Sequence, residues 1–215
     1  MSLTLHFHPL SSFCQKALIA FYENDTPFTP HIVDFFDEAA NAAFKKIWPI
    51  GKIPVLRDEA RDRTIPEATI IIEYLAHHYP GRFRLIPDDA DLARQMRLRD
   101  RFYDWYVNVP MQKVITDRLR PAGKSDPYGV EEARKLLGTA LGMIDQDMTK
   151  KAWAMGESFG MADCAAGPPL FYVNMVMPFG DSHKNAAGYL DRLMQRPSFA
   201  RALKEAEPYL ARVPK

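Results

Sequence analysis

Ser11, Ser12 and Cys14 fall within four positions of each other in the stretch HPLSSFCQKALIAFYE, residues 8–23, where a strand-like run gives way to a helical one. Hydroxyls and a thiol at a helix N-terminus stand where free N–H groups and the helix dipole favour negative charge. A thiol of pKa about 8.5 is only a few per cent ionised at neutral pH, and lowering it by about two units makes most of it reactive thiolate. That change is about 2.7 kcal/mol, within reach of one or two hydrogen bonds to charge plus the dipole. Two chemistries fit. Cys14 is the nucleophile itself, or Ser11 donates a hydrogen bond to the thiolate of a bound small thiol. A purely structural role fits as well: Ser12 followed by Gln15 has the spacing of a capping box, and Cys14 is a small apolar residue suited to a core.

Two further stretches carry residues able to hold a ligand. In WPIGKIPVLRD, Ile53 precedes Pro54 at the start of a strand, where proline has no ladder hydrogen to give and a cis bond would turn the chain sharply. An Ile53 amide and carbonyl left unpaired there could hold a peptide's backbone as an added strand does. In IPEATIIIEYL, Glu67 stands in the expected first turn of a helix, a solvated complement to the dipole unless a ligand ammonium lies beside it.

The elements that must position these residues follow from periodicity. Residues 3–8 alternate Leu3, Leu5 and Phe7 with Thr4, His6 and His8, the period of a half-covered strand. From Phe13, FCQKALIAFYE has helical spacing, and Asn24-Asp25-Thr26-Pro27 stops it. FTPHIVDF reads as a second strand, DEAANAAFKKIW as a short helix, IPVLRD and RTI as a hairpin, and PEATIIIEYLAHHY as a helix opened by Pro66. This order makes a compact α/β layer over residues 1–80, with a Pro/Gly-broken linker at 81–88. Residues 89–215 read as all-helical: a long helix over 89–119 kinked at Pro110, then helices near 130–149, 161–177, 183–195 and 197–206.

The totals narrow the function. With 28 basic and 27 acidic residues, the chain has no general basic field for nucleic acid. No signal-like start and no apolar run of about 18 residues is present, so neither export nor a membrane span is expected, and the default is a cytoplasmic protein. Cys14 and Cys164 are too few for a disulfide framework and are expected as free thiols. No HExxH, paired-carboxylate or phosphate-cradling glycine pattern occurs, so no metal site is expected, and His6, His8, His77 and His78 are read as structural or exposed.

Taken together, SSFCQKALIA, GKIPVL and IPEATIIIEYL resemble cytosolic glutathione transferases of the serine/cysteine-type bacterial kind, over essentially the whole chain. The resemblance implies an α/β plus all-α fold, a thioredoxin-like N-terminal domain followed by an all-helical C-terminal domain, in a homodimer. It implies detoxifying conjugation of glutathione, a co-substrate needing no separate cofactor, to a small hydrophobic electrophile. Ser11 holds the motif position that contacts the glutathione sulfur. Cys14 stands three residues beyond the usual cysteine position, so Cys14 and Ser12 are fallbacks. The same resemblance places Ile53, with Pro54, against the cysteinyl backbone, Lys52 near the glycine carboxylate, and Glu67 and Ala68 at the γ-glutamyl end. Ala68 departs from the usual serine, a loss of roughly 1 kcal/mol or somewhat more, leaving its amide and Thr69 to bind the carboxylate. FGMADCAAGPPLFYV resembles the buried capping box before a central helix, with Asp163 in place but glycine at cap position 160. The electrophile is expected between the domains, against Leu10, Phe102, Tyr103, Tyr106 and Met111. Alternatives are a thiol transferase or peroxidase using Cys14, and a non-catalytic module binding apolar ligands or a protein partner.

Overall fold

A computed structural model describes residues 2–213 of the chain, apart from the side chain at 212. Strands β1 (Leu3–Phe7), β2 (Thr29–Ile32), β3 (Val55–Asp58) and β4 (Arg63–Pro66) form one sheet in the order β2-β1-β3-β4. β2 runs parallel to β1, and β3 and β4 are antiparallel to their neighbours. The alternation in β1 does what its period demands: Leu3, Leu5 and Phe7 enter the main core, while His6 faces the other side beside Phe44. Helices α1 (Ser12–Glu23) and α3 (Ala68–His78) pack together with this main core, whereas α2 (Glu38–Ile47) covers a smaller cluster of Val33, Phe44 and Val55.

The helical half comprises α4 (Ala90–Phe102), α5 (Val109–Asp117), α6 (Pro127–Asp147), α7 (Met161–Val176), α8 (Lys184–Gln195) and α9 (Pro197–Ala206). It folds onto α1, which touches α3 on one side and α7 and α9 on the other. A helix enclosed this way must be apolar nearly all round, and α1 is, except for Ser12, Gln15, Lys16 and Glu23, which are buried and bonded. The fold is therefore a thioredoxin-like N-terminal domain with a four-stranded sheet followed by a helical C-terminal domain.

Two local details bear on the site. The chain stays helical across Pro110, and between α4 and α5 it widens into a π segment, Tyr103–Asn108, in which the Val109 N–H bonds to the Asp104 carbonyl five residues back. The widening sits where the proline ring, lacking an N–H, would otherwise press on the carbonyl four residues earlier. At the start of α7, the Asp163 carboxylate accepts from the Gly160 N–H at 2.8 Å, from Ala154 N–H at 2.8 Å and from the Tyr189 hydroxyl at 2.5 Å. A Cβ at Gly160 would lie 2.4 Å from Met96 Cε, the movable tip of that side chain, and 3.1 Å from the Leu85 carbonyl oxygen.

Candidate active site

The mouth of α1 is built differently from the Ser12–Gln15 capping box. Ser11 is the cap: its backbone is extended, its carbonyl accepts from Gln15 N–H at 2.9 Å, and its Oγ accepts weakly from Cys14 N–H at 3.4 Å. Gln15 cannot reach back to the helix start, because its buried amide donates to the Pro9 carbonyl at 2.8 Å and to Tyr172 Oη at 3.3 Å. Tyr172, on α7, in turn donates to the Leu10 carbonyl at 2.8 Å, so the loop before α1 is fixed from both halves of the molecule.

The three candidate groups at this mouth have different surroundings. Ser11 is half-buried on a cavity wall, its Oγ accepting from the Cys14 N–H and its hydroxyl lying close to the Cys14 thiol. Ser12 is buried and donates its hydrogen to Asn108 Oδ1 at 2.7 Å, with Gln112 Nε2 3.5 Å away on the acceptor side. Cys14 is wholly enclosed; burial pushes its thiol up to about 12, against the opposing hydrogen bonds with Ser11 and the His8 backbone.

A polar cavity of about 550 Å³ brings together Lys52, Ile53, Pro54, Glu67 and Ala68 from the two ligand-holding stretches, and adds Phe13, Trp48, Arg101, Asp104, Trp105 and Gln112. The Ile53–Pro54 peptide is cis. Glu67 lies just before α3 and not in its first turn, because Pro66 ends β4 and Glu67 adopts φ 71°, ψ 121°. A non-glycine residue held there costs about 1–3 kcal/mol, an expense that clusters at ligand sites. Ala68 opens α3, so its N–H has no intrahelical acceptor.

Thr69, expected to help at the same end, is occupied. Its hydroxyl accepts from Lys16 Nζ at 2.8 Å and donates to Asp100 Oδ2 at 2.8 Å. Lys16, about 1% exposed, also pairs with Asp100 Oδ1 at 2.7 Å and Asp104 Oδ2 at 2.8 Å. Arg101 closes the cluster from its solvent side. Burial pushes the Asp104 carboxyl up, opposed by the pull of Lys16 and Arg101.

A second cavity, of about 440 Å³ and largely apolar, has Ser11 and Ser12 on its wall. Leu10 and Met111 line it, and Phe102, Tyr103 and Tyr106 do not. Tyr103 is buried in the core beside Tyr189, Phe102 stacks edgewise on Tyr103 and Tyr106, and Tyr106 is half-exposed elsewhere. The π segment explains this: an i→i+5 turn carries extra residues, so positions before and after it fall out of the phase that a 3.6-residue period assigns. The wall is instead made by Phe35, Phe36, Ile115, Leu119 and Tyr172. The signal for part of it was present in the sequence, since Met111, Ile115 and Leu119 repeat every four residues. His8 also lines this cavity, its Nδ1 accepting from Leu10 N–H at 3.2 Å. Ile53 and Gln112 belong to both cavities, which places the junction beside the mouth of α1. No cluster of three or more metal-binding side chains occurs among the described residues, and no described helix is long and apolar enough to cross a membrane.

Comparison with known proteins gives this geometry a family. Residues 5–83 match the model for the glutathione S-transferase N-terminal domain, and residues 127–210 that for the C-terminal domain. Among curated relatives, a stringent starvation protein A homolog of Histophilus somni is 27% identical over 96% of this chain and 92% of its own. Glutathione S-transferase GstB of Escherichia coli is 24% identical, over 91% and 95%. The crystal structure of a glutathione S-transferase from Methylobacillus flagellatus KT with GSH bound superposes with a TM-score of 0.85 at 26% identity, covering 94% of this chain and 98% of that one. Matched by both domain models and by relatives along nearly its whole length, this chain belongs to the glutathione S-transferase superfamily.

Proposed function

We propose that the chain is a glutathione transferase in which Ser11 donates a hydrogen bond to the glutathione thiolate and the apolar cavity presents a small hydrophobic electrophile to it. One observation carries the choice of Ser11. Of the three groups at the α1 mouth, it alone combines access to a cavity with a hydrogen to give, since Ser12 is committed to Asn108 and Cys14 is sealed in the core. Glutathione would lie in the polar cavity, with Lys52 toward its glycine carboxylate, the Ile53 main chain along its cysteinyl unit, Glu67 at its γ-glutamyl ammonium and the Ala68 N–H at the neighbouring carboxylate. The sulfur then stands where the two cavities meet, held ionised and in contact with the electrophile, so proximity and pKa lowering act together. Attack forms the carbon–sulfur bond, and the electrons displaced from carbon leave with the departing group or remain on the adduct until protonated. A homodimer belongs to this reading; exposed Ile70, Leu92 and Leu98 on α3 and α4 support an apolar face for a second copy.

The test is the ultraviolet thiolate absorbance of enzyme-bound glutathione against pH. The parent should titrate below the free thiol, and Ser11→Ala should raise the midpoint by about one unit or more, with kcat/KM for an aryl halide falling at least about tenfold. An unchanged midpoint would remove Ser11 from the sulfur. The likeness to a stringent starvation protein A homolog, whose name is not that of a transferase, favours a second reading in which the scaffold binds without turning over. Tight glutathione binding with no conjugation of any electrophile tried would support it.

A further inference from the structure

We infer that Arg101 reads the α-carboxylate of the γ-glutamyl group, taking over from the hydroxyl that Ala68 lacks; the inference rests on the glutathione reading above. At this end of the polar cavity the side chains that follow Glu67 offer the carboxylate nothing: Ala68 has no polar atom, and the Thr69 hydroxyl is saturated by Lys16, Asp100 and Arg101. Arg101 lines the same cavity as Glu67 and Ala68, and its side chain is 47% exposed although it belongs to the buried ion cluster.

Its guanidinium is divided in use. Nε bonds to Asp100 at 3.2 Å, and Nη2 to Asp100 at 2.7 Å and Asp104 at 2.8 Å. Nη1 has no protein acceptor among the described residues. The two aspartates thus fix the plane of the group from behind and leave one edge for a ligand, the arrangement in which a rigid planar cation recognises a carboxylate. The signs of charge alternate to suit an amino-acid head: Glu67 for the ammonium, Arg101 for the carboxylate. Glu67 also adds to the field that holds Arg101 protonated.

Calorimetry with two ligands separates this role from simple closure of the cluster: glutathione, and 4-aminobutanoyl-cysteinyl-glycine, which differs only in lacking the α-carboxylate. Arg101→Gln should weaken glutathione about tenfold or more, as for a charge-assisted hydrogen bond, and change the analogue less than about twofold. Adding Ala68→Ser to Arg101→Gln should recover at least about threefold for glutathione alone. Arg101→Lys keeps a cation beside Asp100 and Asp104, which protects folding if the Gln variant fails to fold, but loses the planar fork. It should lose about threefold or more for glutathione and nothing for the analogue. Parent-like glutathione affinity in whichever variant folds, or equal losses for both ligands, overturns the assignment while leaving the glutathione reading intact. A parent that binds neither ligand at millimolar concentration overturns both.

Discussion

Neighbouring residues at the α1 mouth acquire opposite chemistry from a difference of three positions. Ser11, at the cap, keeps its side chain on the cavity wall, whereas Cys14, one turn into a helix enclosed by two halves of the molecule, has no solvent beside its sulfur. Burial raises both thiols, Cys14 to about 12 and Cys164 well above its ordinary value, so neither supplies thiolate at neutral pH. Cys14→Ala should therefore leave conjugation within about twofold of the parent. It should cost about 1 kcal/mol or more of stability through the small cavity left in the core, read from urea unfolding. Iodoacetamide should not label Cys14 in the folded protein. Rapid labelling with loss of disulfide reduction would instead place the protein among thiol transferases.

Among the elements, β1 holds a titratable group that the site does not use. His6 faces His31 of β2 with ring centroids 4.6 Å apart, with Phe44 of α2 packed beside it and Glu59 the nearby acid that partly opposes the shift. Burial first, and then the repulsion of His31, pushes His6 down to about 4 from an ordinary 6.5. Between those values the unfolded chain takes up a proton that the folded chain refuses. The contribution is therefore complete above pH 6.5 and is lost as pH falls toward 4, by about 2–3 kcal/mol. Urea midpoints across this window should slope in the parent and flatten in His6→Phe; parallel slopes would show that other groups carry the acid sensitivity. Residues like Leu3, Leu5 and Phe7 made β1 legible because a strand's period is two and one face is buried. Lys52, Ile53, Pro54, Glu67 and Ala68 were legible as two short contiguous stretches, which one hairpin turn brings to one cavity. The apolar wall was not. Phe35 and Phe36 reach it from irregular chain before α2, and the π segment breaks the 3.6-residue phase along the helix that carries Met111. Gly160 was read as an acceptable cap in place of a hydroxyl; the close approach of Met96 and of the Leu85 carbonyl around it comes from residues far away in sequence and invisible to any local pattern.

For the whole molecule, the decisive connection is the buried ion cluster, because it ties a cation on α1 to carboxylates on the helical half. Lys16 Nζ lies 2.7 Å from Asp100 and 2.8 Å from Asp104, while Arg101 reaches the same carboxylates from the rim of the polar cavity. The halves share α1 as common core, so near- and far-ultraviolet circular dichroism should report one coincident unfolding transition. Lys16→Met removes the inner cation but keeps most of the side-chain volume, leaving Asp100 and Asp104 facing each other with Arg101 alone. Breaking a buried pair from one side costs about 3–5 kcal/mol, far more than any surface pair. Burial already pushes the Asp104 carboxyl upward, with Lys16 the largest opposing influence. Without Lys16 that carboxyl takes a proton more readily, and a protonated Asp104 no longer repels Asp100. The stability deficit of Lys16→Met relative to the parent should then shrink as pH falls from about 7 to about 5, because the folded variant takes up that proton more readily than the folded parent. Urea unfolding of both proteins at the two pH values checks this. A deficit that stays constant or grows in acid would mean that Asp104 remains charged without its partner, and that the cluster holds the halves together through packing rather than charge.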